Sequence, residues 1–296
     1  MDNSQRLTRD FARAEPQDDK PEAPKPELPK VIKNLPTHLL ESREIFLNEQ
    51  VNQKSASSII FQLRALASSS KEPITFWINS PGGVVRDGLA VYDVMRELMN
   101  EGIIIKTKAY GTAASMGSFL LSAGSPGYRT MLPTARDMTH QPSRGGVRAN
   151  DDEMQNSAKS ISQTRRRLEY HYANFMGIDY SKKKARTLLN AYMGPDVYLT
   201  PYLAKRLGLI DNISLQTNSG RPAKGITEEF LKRSVETDIM LDRLEYDEID
   251  SSPGSTDPLR FVKALIEYRE NHIAKAKKKI KAAGEKPEAD KSPSPV

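Results

Sequence analysis

A short stretch of small residues, Gly111–Gly117, joins a predicted strand to a predicted helix and constrains the fold more than any other feature. The run Ile103–Tyr110 before it is rich in β-branched residues and alternates, which is typical of a strand. The run Ser118–Gly124 after it is apolar and ends in glycine, which predicts a short helix. Ser115 therefore lies where a strand turns into a helix. There a serine is either an N-cap or an exposed nucleophile, with helix amides available to a developing oxyanion.

A serine nucleophile requires a base, and the chain has four histidines: His38, His140, His171 and His272. His140 follows a strand-like segment, residues 128–133, and Pro142 ends its element. Sites in α/β folds gather at strand ends, so His140 is the candidate base. The alternative for any one histidine is an ordinary surface or core imidazole.

A third stretch, Asn79–Gly83, contains a proline and two glycines directly after the predicted strand Ile74–Trp77. Paired glycines after a strand allow close approach of backbone and leave N–H groups free for an anion. Taken alone, this stretch predicts only a turn.

Four motifs in a fixed order carry a resemblance to one family. They are Asn79–Gly83, Ala113–Gly117, His140–Pro142 and Ala204–Asp211, and His140 follows Ser115 by 25 residues. Together they resemble ClpP, the proteolytic subunit of the Clp protease, over roughly residues 38–215.

The resemblance implies a role for each matching residue. Ser115 matches the nucleophile, His140 the general base, and the backbone N–H groups of Gly83 and Met116 the oxyanion hole. Asp196 matches the acid that orients the imidazole, in a register that makes Thr200 an N-cap and Pro201 the first helical residue. Asp196 follows His140 by 56 residues, more than the family usually shows, so Asp179 is the alternative acid. An ordinary surface aspartate remains the alternative for both.

Strand and helix patterns alternate between residues 35 and 216, which predicts an α/β domain of right-handed βαβ units. The resemblance implies the ClpP/crotonase-type spiral with a protruding handle helix, here expected between Asp151 and Phe175. The segment Ser143–Arg148 precedes that helix, and we expect its arginines, Arg144 and Arg148, to reach carboxylates of a neighbouring subunit. The alternative is a solvated helix with surface charge.

The flanking regions predict two extensions. Residues 1–34 are polar and rich in proline, which indicates disorder. Residues 217–296 predict a helix over 226–244 with Thr227 as N-cap, a linker near Ser251–Ser255, and a second helix over 257–281. That second helix ends in a lysine run, which carries much of the net charge of +6 and is expected to be a solvated face. The end of the chain, from Lys286, is expected to be disordered.

Composition and motif content exclude several kinds of site and activity. The absence of cysteine rules out disulfides, thiolate catalysis and cysteine–metal sites. No Gly-x-x-x-x-Gly-Lys-Ser/Thr loop occurs, so any use of ATP belongs to a partner. No apolar run approaches about 18 residues, and the acidic N-terminal region differs from targeting peptides, so we expect a cytoplasmic protein. We expect no cofactor and no metal.

The candidate serine and histidine, taken with the resemblance, predict a serine endopeptidase, and the resemblance implies that its substrates are unfolded polypeptides. The resemblance implies stacked homo-oligomeric rings that enclose a chamber, fed by a Clp-type AAA+ ATPase unfoldase; membrane and nucleic-acid partners are not expected. The alternatives are a ClpP-like protease that matures a viral capsid and a catalytically silent ring subunit. A hydratase of the crotonase type is a less favoured alternative, because its reaction would give Ser115 and His140 no role.

Overall fold

A computed structural model describes residues 41–142, 151–214, 228–252 and 255–282. The predicted N-terminal extension, 1–34, the segment with Arg144 and Arg148, the cap residue Thr227 and the chain end from Lys286 lie outside the described residues. The predicted domain boundaries therefore stay predictions.

A seven-stranded sheet forms the centre of the domain. Its main path runs β1 (Glu44–Leu47), β2 (Ile74–Ser80), β3 (Ile105–Ala114), β4 (Arg129–Met131) and β7 (Asn212–Ile213), with all neighbours parallel. Two further strands branch from β3: β5 (Arg136–Thr139) is parallel to it, and β6 (Val197–Leu199) is antiparallel to β5. Parallel neighbours require crossover connections, and helices supply them. The predicted α/β architecture is thereby confirmed.

Six helices belong to this α/β unit: α1 (Gln53–Ser69), α2 (Val85–Asn100), α3 (Met116–Ser122), α4 (Asp151–Met176), α5 (Lys183–Tyr192) and α6 (Pro201–Leu207). The cap predicted for α6 is present, because the Thr200 hydroxyl accepts a hydrogen bond from the Leu203 N–H and Pro201 begins the helix. Gly208, with a φ of +79°, ends it in the left-handed conformation that glycine adopts most readily. α5 lies in the chain between His140 and Asp196.

A bend in β3 brings the strand ends to one place. The β2–β3 register shifts between Ile78 and Ser80, and Gly111 has a φ of +64°. A Cβ on Gly111 would stand 2.6 Å from the Asn79 side-chain oxygen, and together with the positive φ this close contact favours glycine. Before the bend β3 pairs with β4, and after it with β5. The second half of β3 therefore carries Ser115 toward the strand that precedes His140.

Two C-terminal helices, α7 (Glu228–Glu248) and α8 (Arg260–Ala282), pack against the α/β unit. Val262, Leu265 and Ile266 of α8 are fully buried. The Arg269 guanidinium donates hydrogen bonds to the carbonyls of Met176 and Arg206. Both helices follow the predicted ones closely, although α8 begins at Arg260 rather than at residue 257, since the Asp257 carboxylate accepts the Leu259 N–H in a turn before it. No helix in the described ranges is long and apolar enough to cross a membrane.

Candidate active site

Ser115 occupies a strained turn between β3 and α3. Its φ of +53° and ψ of −117° lie in a region that residues other than glycine rarely enter, and such outliers cluster at functional sites. The Ser115 N–H donates to the Met138 carbonyl at 2.7 Å, which ties the turn to β5. The Ser115 hydroxyl makes no capping hydrogen bond to α3. Ser115 therefore occupies the N-cap position of α3, but its hydroxyl does not cap the helix.

Gly82 allows this turn to approach the Asn79–Gly83 loop. A Cβ on Gly82 would stand 2.5 Å from the Ser115 Cβ and 2.6 Å from the Ala114 carbonyl oxygen. Real Cβ atoms do not approach backbone so closely, and the φ of Gly82, +93°, also favours glycine. The loop and the serine turn are thus packed backbone against backbone.

His140 and Asp196 are held side by side by two antiparallel strands. β5 ends at Thr139, β6 begins at Val197, and these two residues pair directly. The next residue outward on each strand is His140 or Asp196, so the ladder itself fixes their separation. The Gln141 N–H continues the pairing with a 2.7 Å hydrogen bond to the Met193 carbonyl.

The three side chains form a hydrogen-bonded row. His140 Nε2 lies 3.0 Å from Ser115 Oγ, and His140 Nδ1 lies 2.9 Å from Asp196 Oδ1. An ionised carboxylate only accepts, so the Nδ1 nitrogen carries the proton and Nε2 accepts from the serine hydroxyl. The Asp196 side chain is 69% exposed and that of His140 25%. The row therefore runs from solvent inward to the serine.

Asp179, the alternative acid, lies elsewhere. Its carboxylate accepts the Ser181 N–H at 2.9 Å and pairs with Lys182. The hydrogen bonds from Ser181, together with the Lys182 charge, lower the pKa of Asp179. The acid that the structure brings to His140 is Asp196.

Gly83 and Met116 both present backbone N–H groups near the serine turn. Met116 begins α3, and the first amides of a helix have no partner within it. Gly83 pairs with Val51 in a parallel bridge: the Val51 N–H donates to the Gly82 carbonyl, and the Val84 N–H to the Val51 carbonyl. Gly83 lies between the two residues that bond Val51, and in a parallel bridge such a residue points its own N–H and C=O away from the partner strand. The free edge at Gly83 therefore faces away from Val51.

An apolar pocket opens beside Ser115 and His140. Its other lining side chains come from four segments, and they are Val85, Met116, Phe119, Pro142, Leu168 and Tyr172. Such a lining fits an uncharged, apolar substrate side chain. Within the described residues no group of three or more His, Asp or Glu side chains is arranged to hold a metal ion.

Sequence reasoning missed a set of buried polar residues behind this site: Ser118, Asp137, Thr139, Tyr172 and Tyr192. The one sequence pattern that could have indicated them is Asp137-Met138-Thr139, directly before His140. Alternating polar residues of this kind are typical of the solvent-facing side of a strand. Both faces of β5 are in fact buried at these positions.

A comparison with protein-family models agrees with the fold and the motif order. The model described as Clp protease matches residues 29–217, which is more than half of the chain and includes Ser115, His140 and Asp196. The chain therefore belongs to the Clp protease family of serine peptidases.

Proposed function

We propose that the chain is a serine endopeptidase in which Ser115, His140 and Asp196 act as nucleophile, general base and orienting acid. The continuous row of hydrogen bonds from Asp196 through His140 to Ser115 is the observation that carries this proposal. The imidazole takes the hydroxyl proton as Ser115 attacks the scissile carbonyl. It then gives that proton to the leaving amine, and water hydrolyses the acyl-enzyme by the same route.

The Gly83 and Met116 N–H groups stabilise the oxyanion of the tetrahedral intermediate. Two features support this role: the free N–H at the beginning of α3, and the outward orientation of the Gly83 amide. Donors fixed by the backbone need no reorganisation as charge develops, which makes them effective in the transition state.

Substrate binds as an extended strand along the free edge at Gly83. Main-chain pairing of this kind recognises backbone rather than sequence, so it suits unfolded polypeptides. The apolar pocket lined by Phe119, Leu168 and Tyr172 takes one side chain beside the scissile bond. We expect a preference for apolar residues there.

The peptidase works as a homo-oligomer of stacked rings, supplied with unfolded chains by a Clp-type AAA+ ATPase. α4 supports the ring contact as a handle helix. Its C-terminal half is packed into the domain through Leu168 and Tyr172, whereas in its first half Met154 is 54% exposed and Ala158 is exposed too. An apolar stripe that leaves its own subunit needs a partner to cover it. The cytoplasmic location stays a prediction.

Hydrolysis of a fluorogenic peptide with an apolar residue before the scissile bond, and of an unfolded labelled protein, tests the proposal. Wild type is expected to cleave both. Ser115→Ala is expected to cleave neither, whereas Ser122→Ala, a matched loss of a buried hydroxyl on the same helix, keeps activity. Equal activity of Ser115→Ala and wild type would remove the nucleophile from the proposal. An assembled wild-type ring that cleaves nothing would favour the silent-subunit alternative.

A further inference from the structure

Five polar side chains form a buried cluster directly behind the Ser115–His140 pair. They are Ser118, Asp137, Thr139, Tyr172 and Tyr192, and each is at most 2% exposed. They come from α3, β5, α4 and α5, the elements that surround the site on its inner side. None of them belongs to the catalytic row, and of the five only Tyr172, which lines the apolar pocket, enters the function proposed above.

A short chain of hydroxyl groups joins the elements that carry the reacting side chains. Ser118 Oγ lies 3.1 Å from Thr139 Oγ1, and the Tyr172 hydroxyl donates to Ser118 Oγ at 3.4 Å. Ser118 stands three residues after Ser115 on the nucleophile helix, and Thr139 directly precedes His140. Tyr172 also lines the substrate pocket. A change within this cluster therefore reaches the nucleophile helix, the base and the pocket together.

Asp137 is the one acidic member, and it lies in an environment that disfavours its charge. It is completely buried, and neither carboxyl oxygen has a hydrogen-bond partner among the described residues. Its neighbours on the two adjacent strands are Ala113 of β3 and Leu199 of β6, and both are apolar. Burial raises the pKa of Asp137 to about 7, and the nearby Ser118 hydroxyl moderates the rise without making a well-formed hydrogen bond.

The groups that face Asp137 from the other elements carry no positive charge. They are the hydroxyls of Ser118 on α3, Tyr172 on α4 and Tyr192 on α5, together with Thr139 on its own strand. The pKa values of both tyrosines are raised, first by burial and then by the Asp137 charge. The buried Tyr192 hydroxyl also has no hydrogen-bond partner among the described residues. A neutral carboxyl can both donate to and accept from such hydroxyls, whereas a carboxylate can only accept.

We propose that Asp137 is a pH-sensitive positioning residue for the peptidase reaction, a proposal that rests on the function proposed above. With its carboxyl protonated, Asp137 joins the hydroxyl cluster that holds the nucleophile helix against the His140 strand. Its ionisation leaves a buried charge without a cation, which the protein relieves by loosening this packing. Ser115 and His140 then lose their alignment, so the peptidase switches off as pH rises.

The direction of the stability change follows from proton linkage. The pKa of Asp137 in the folded protein is about 7, above the ordinary value of 3.8, so the folded state binds the proton more tightly than the unfolded state. The stabilisation is complete below the ordinary value and is lost as pH rises through about 7. Alkaline conditions thus weaken the elements that align the site.

Peptide hydrolysis between pH 5.5 and 9 tests the proposal, with wild type compared with Asp137→Asn. Wild-type kcat is expected to fall on the alkaline side by about tenfold for each pH unit above 7, and so by about 100-fold at pH 9, as for a single group titrating near 7, while KM changes little. Asp137→Asn, which cannot ionise, is expected to lose this fall. Superimposable alkaline profiles for the two proteins would overturn the proposal.

Two further measurements keep the test decisive. Ser118→Ala removes a hydroxyl that favours ionised Asp137, so its alkaline fall is expected at higher pH than in wild type; an unmoved fall contradicts the proposal even if Asp137→Asn does not fold. The pH dependence of urea unfolding, compared between wild type and Asp137→Asn, reports the ionisation without any need for activity. If no peptide is cleaved but the unfolding free energy of wild type falls relative to that of Asp137→Asn between the ordinary value of 3.8 and about 7, and runs parallel to it at higher pH, the proposed function fails while the titration of Asp137 stands.

Discussion

The exposed position of Asp196 bounds the contribution that this carboxylate makes to catalysis in the proposed mechanism. In that mechanism His140 becomes an imidazolium in the acyl-transfer steps, and the Asp196 carboxylate lies 2.9 Å from its Nδ1. The Asp196 side chain is 69% exposed, so water screens the pair strongly. We therefore predict a modest loss for Asp196→Ala, smaller than for the buried acid of a typical catalytic triad.

Coulomb's law bounds the expected loss. For unit charges about 4 Å apart, the attraction is about 1 kcal/mol in bulk water and about 4 kcal/mol at an effective dielectric constant of about 20. Each tenfold change in rate corresponds to about 1.4 kcal/mol, so these limits span a loss of about 5-fold to about 1000-fold in kcat/KM. The exposure of Asp196 favours the lower part of this range, about 5- to 100-fold. Loss of the nucleophile, by contrast, costs roughly 10⁶-fold.

Steady-state peptide hydrolysis at two salt concentrations measures the effect. Asp179→Ala is the matched control, because this carboxylate is also exposed and bonds only within its own turn. We expect kcat/KM of Asp196→Ala to fall within the stated range, and the difference from wild type to shrink at high salt. A loss of 10⁴-fold or more would refute the screening argument, and no loss at all would refute the role of Asp196.

Four further predictions concern the framework around the site. Asp211→Ala leaves the buried Arg129 without the carboxylate that accepts its Nε and Nη2 hydrogens, so urea unfolding should show a loss of about 3–5 kcal/mol. Burial raises the pKa of Asp211, but the hydrogen bonds and charge of Arg129 lower it by more. The ionised Asp211 therefore stabilises the folded protein at neutral pH, and this stabilisation should be lost as pH falls below about 4; an unfolding free energy that stays constant there would contradict this. Gly82→Ala should abolish hydrolysis while the protein remains folded by circular dichroism, because the new Cβ meets the Ser115 turn; retained activity refutes the packing argument. Leu265→Ala should lower the unfolding free energy by about 2–5 kcal/mol, whereas a change near zero would mean that α8 does not pack as described.

The sequence was sufficient to predict the strand–turn–helix segment around Ser115, because each part of it has a local signature. A β-branched run, a set of small residues and a glycine stop predict strand, turn and helix in that order. The cap at Thr200 and Pro201 is equally local, and the structure confirms it. Patterns of this kind depend on residues a few positions apart, which a single sequence displays directly.

The strands that align His140 and Asp196 could not be predicted in the same way. The sequence pattern places His140 after the strand-like residues 128–133, whereas in the structure a second strand, β5 (Arg136–Thr139), lies between them and His140. Four residues that include Arg136 and Asp137 show no apolar alternation. Their partner β6 lies about 60 residues later, and no local pattern indicates which short segments pair at that distance.

The packing of the C-terminal helices against the domain could not be predicted from the sequence either. Their helical pattern is clear, yet the apolar stripe of α8 is thin, and it did not indicate a buried face. In the structure Leu265 and Ile266 are fully covered, and Arg269 bonds carbonyls of α4 and α6. Such long-range contacts depend on three-dimensional neighbours that hydrophobic periodicity does not identify.

Covalent labelling by a fluorophosphonate tests whether Ser115 is an activated nucleophile, because this probe reacts with a serine that its neighbours activate. We predict one labelled site in wild type, mapped by mass spectrometry to the peptide that contains Ser115. Labelling is expected to disappear in Ser115→Ala and to slow strongly in His140→Ala. Labelling of a different residue, or an unchanged rate in His140→Ala, would contradict the claim that the imidazole activates this hydroxyl.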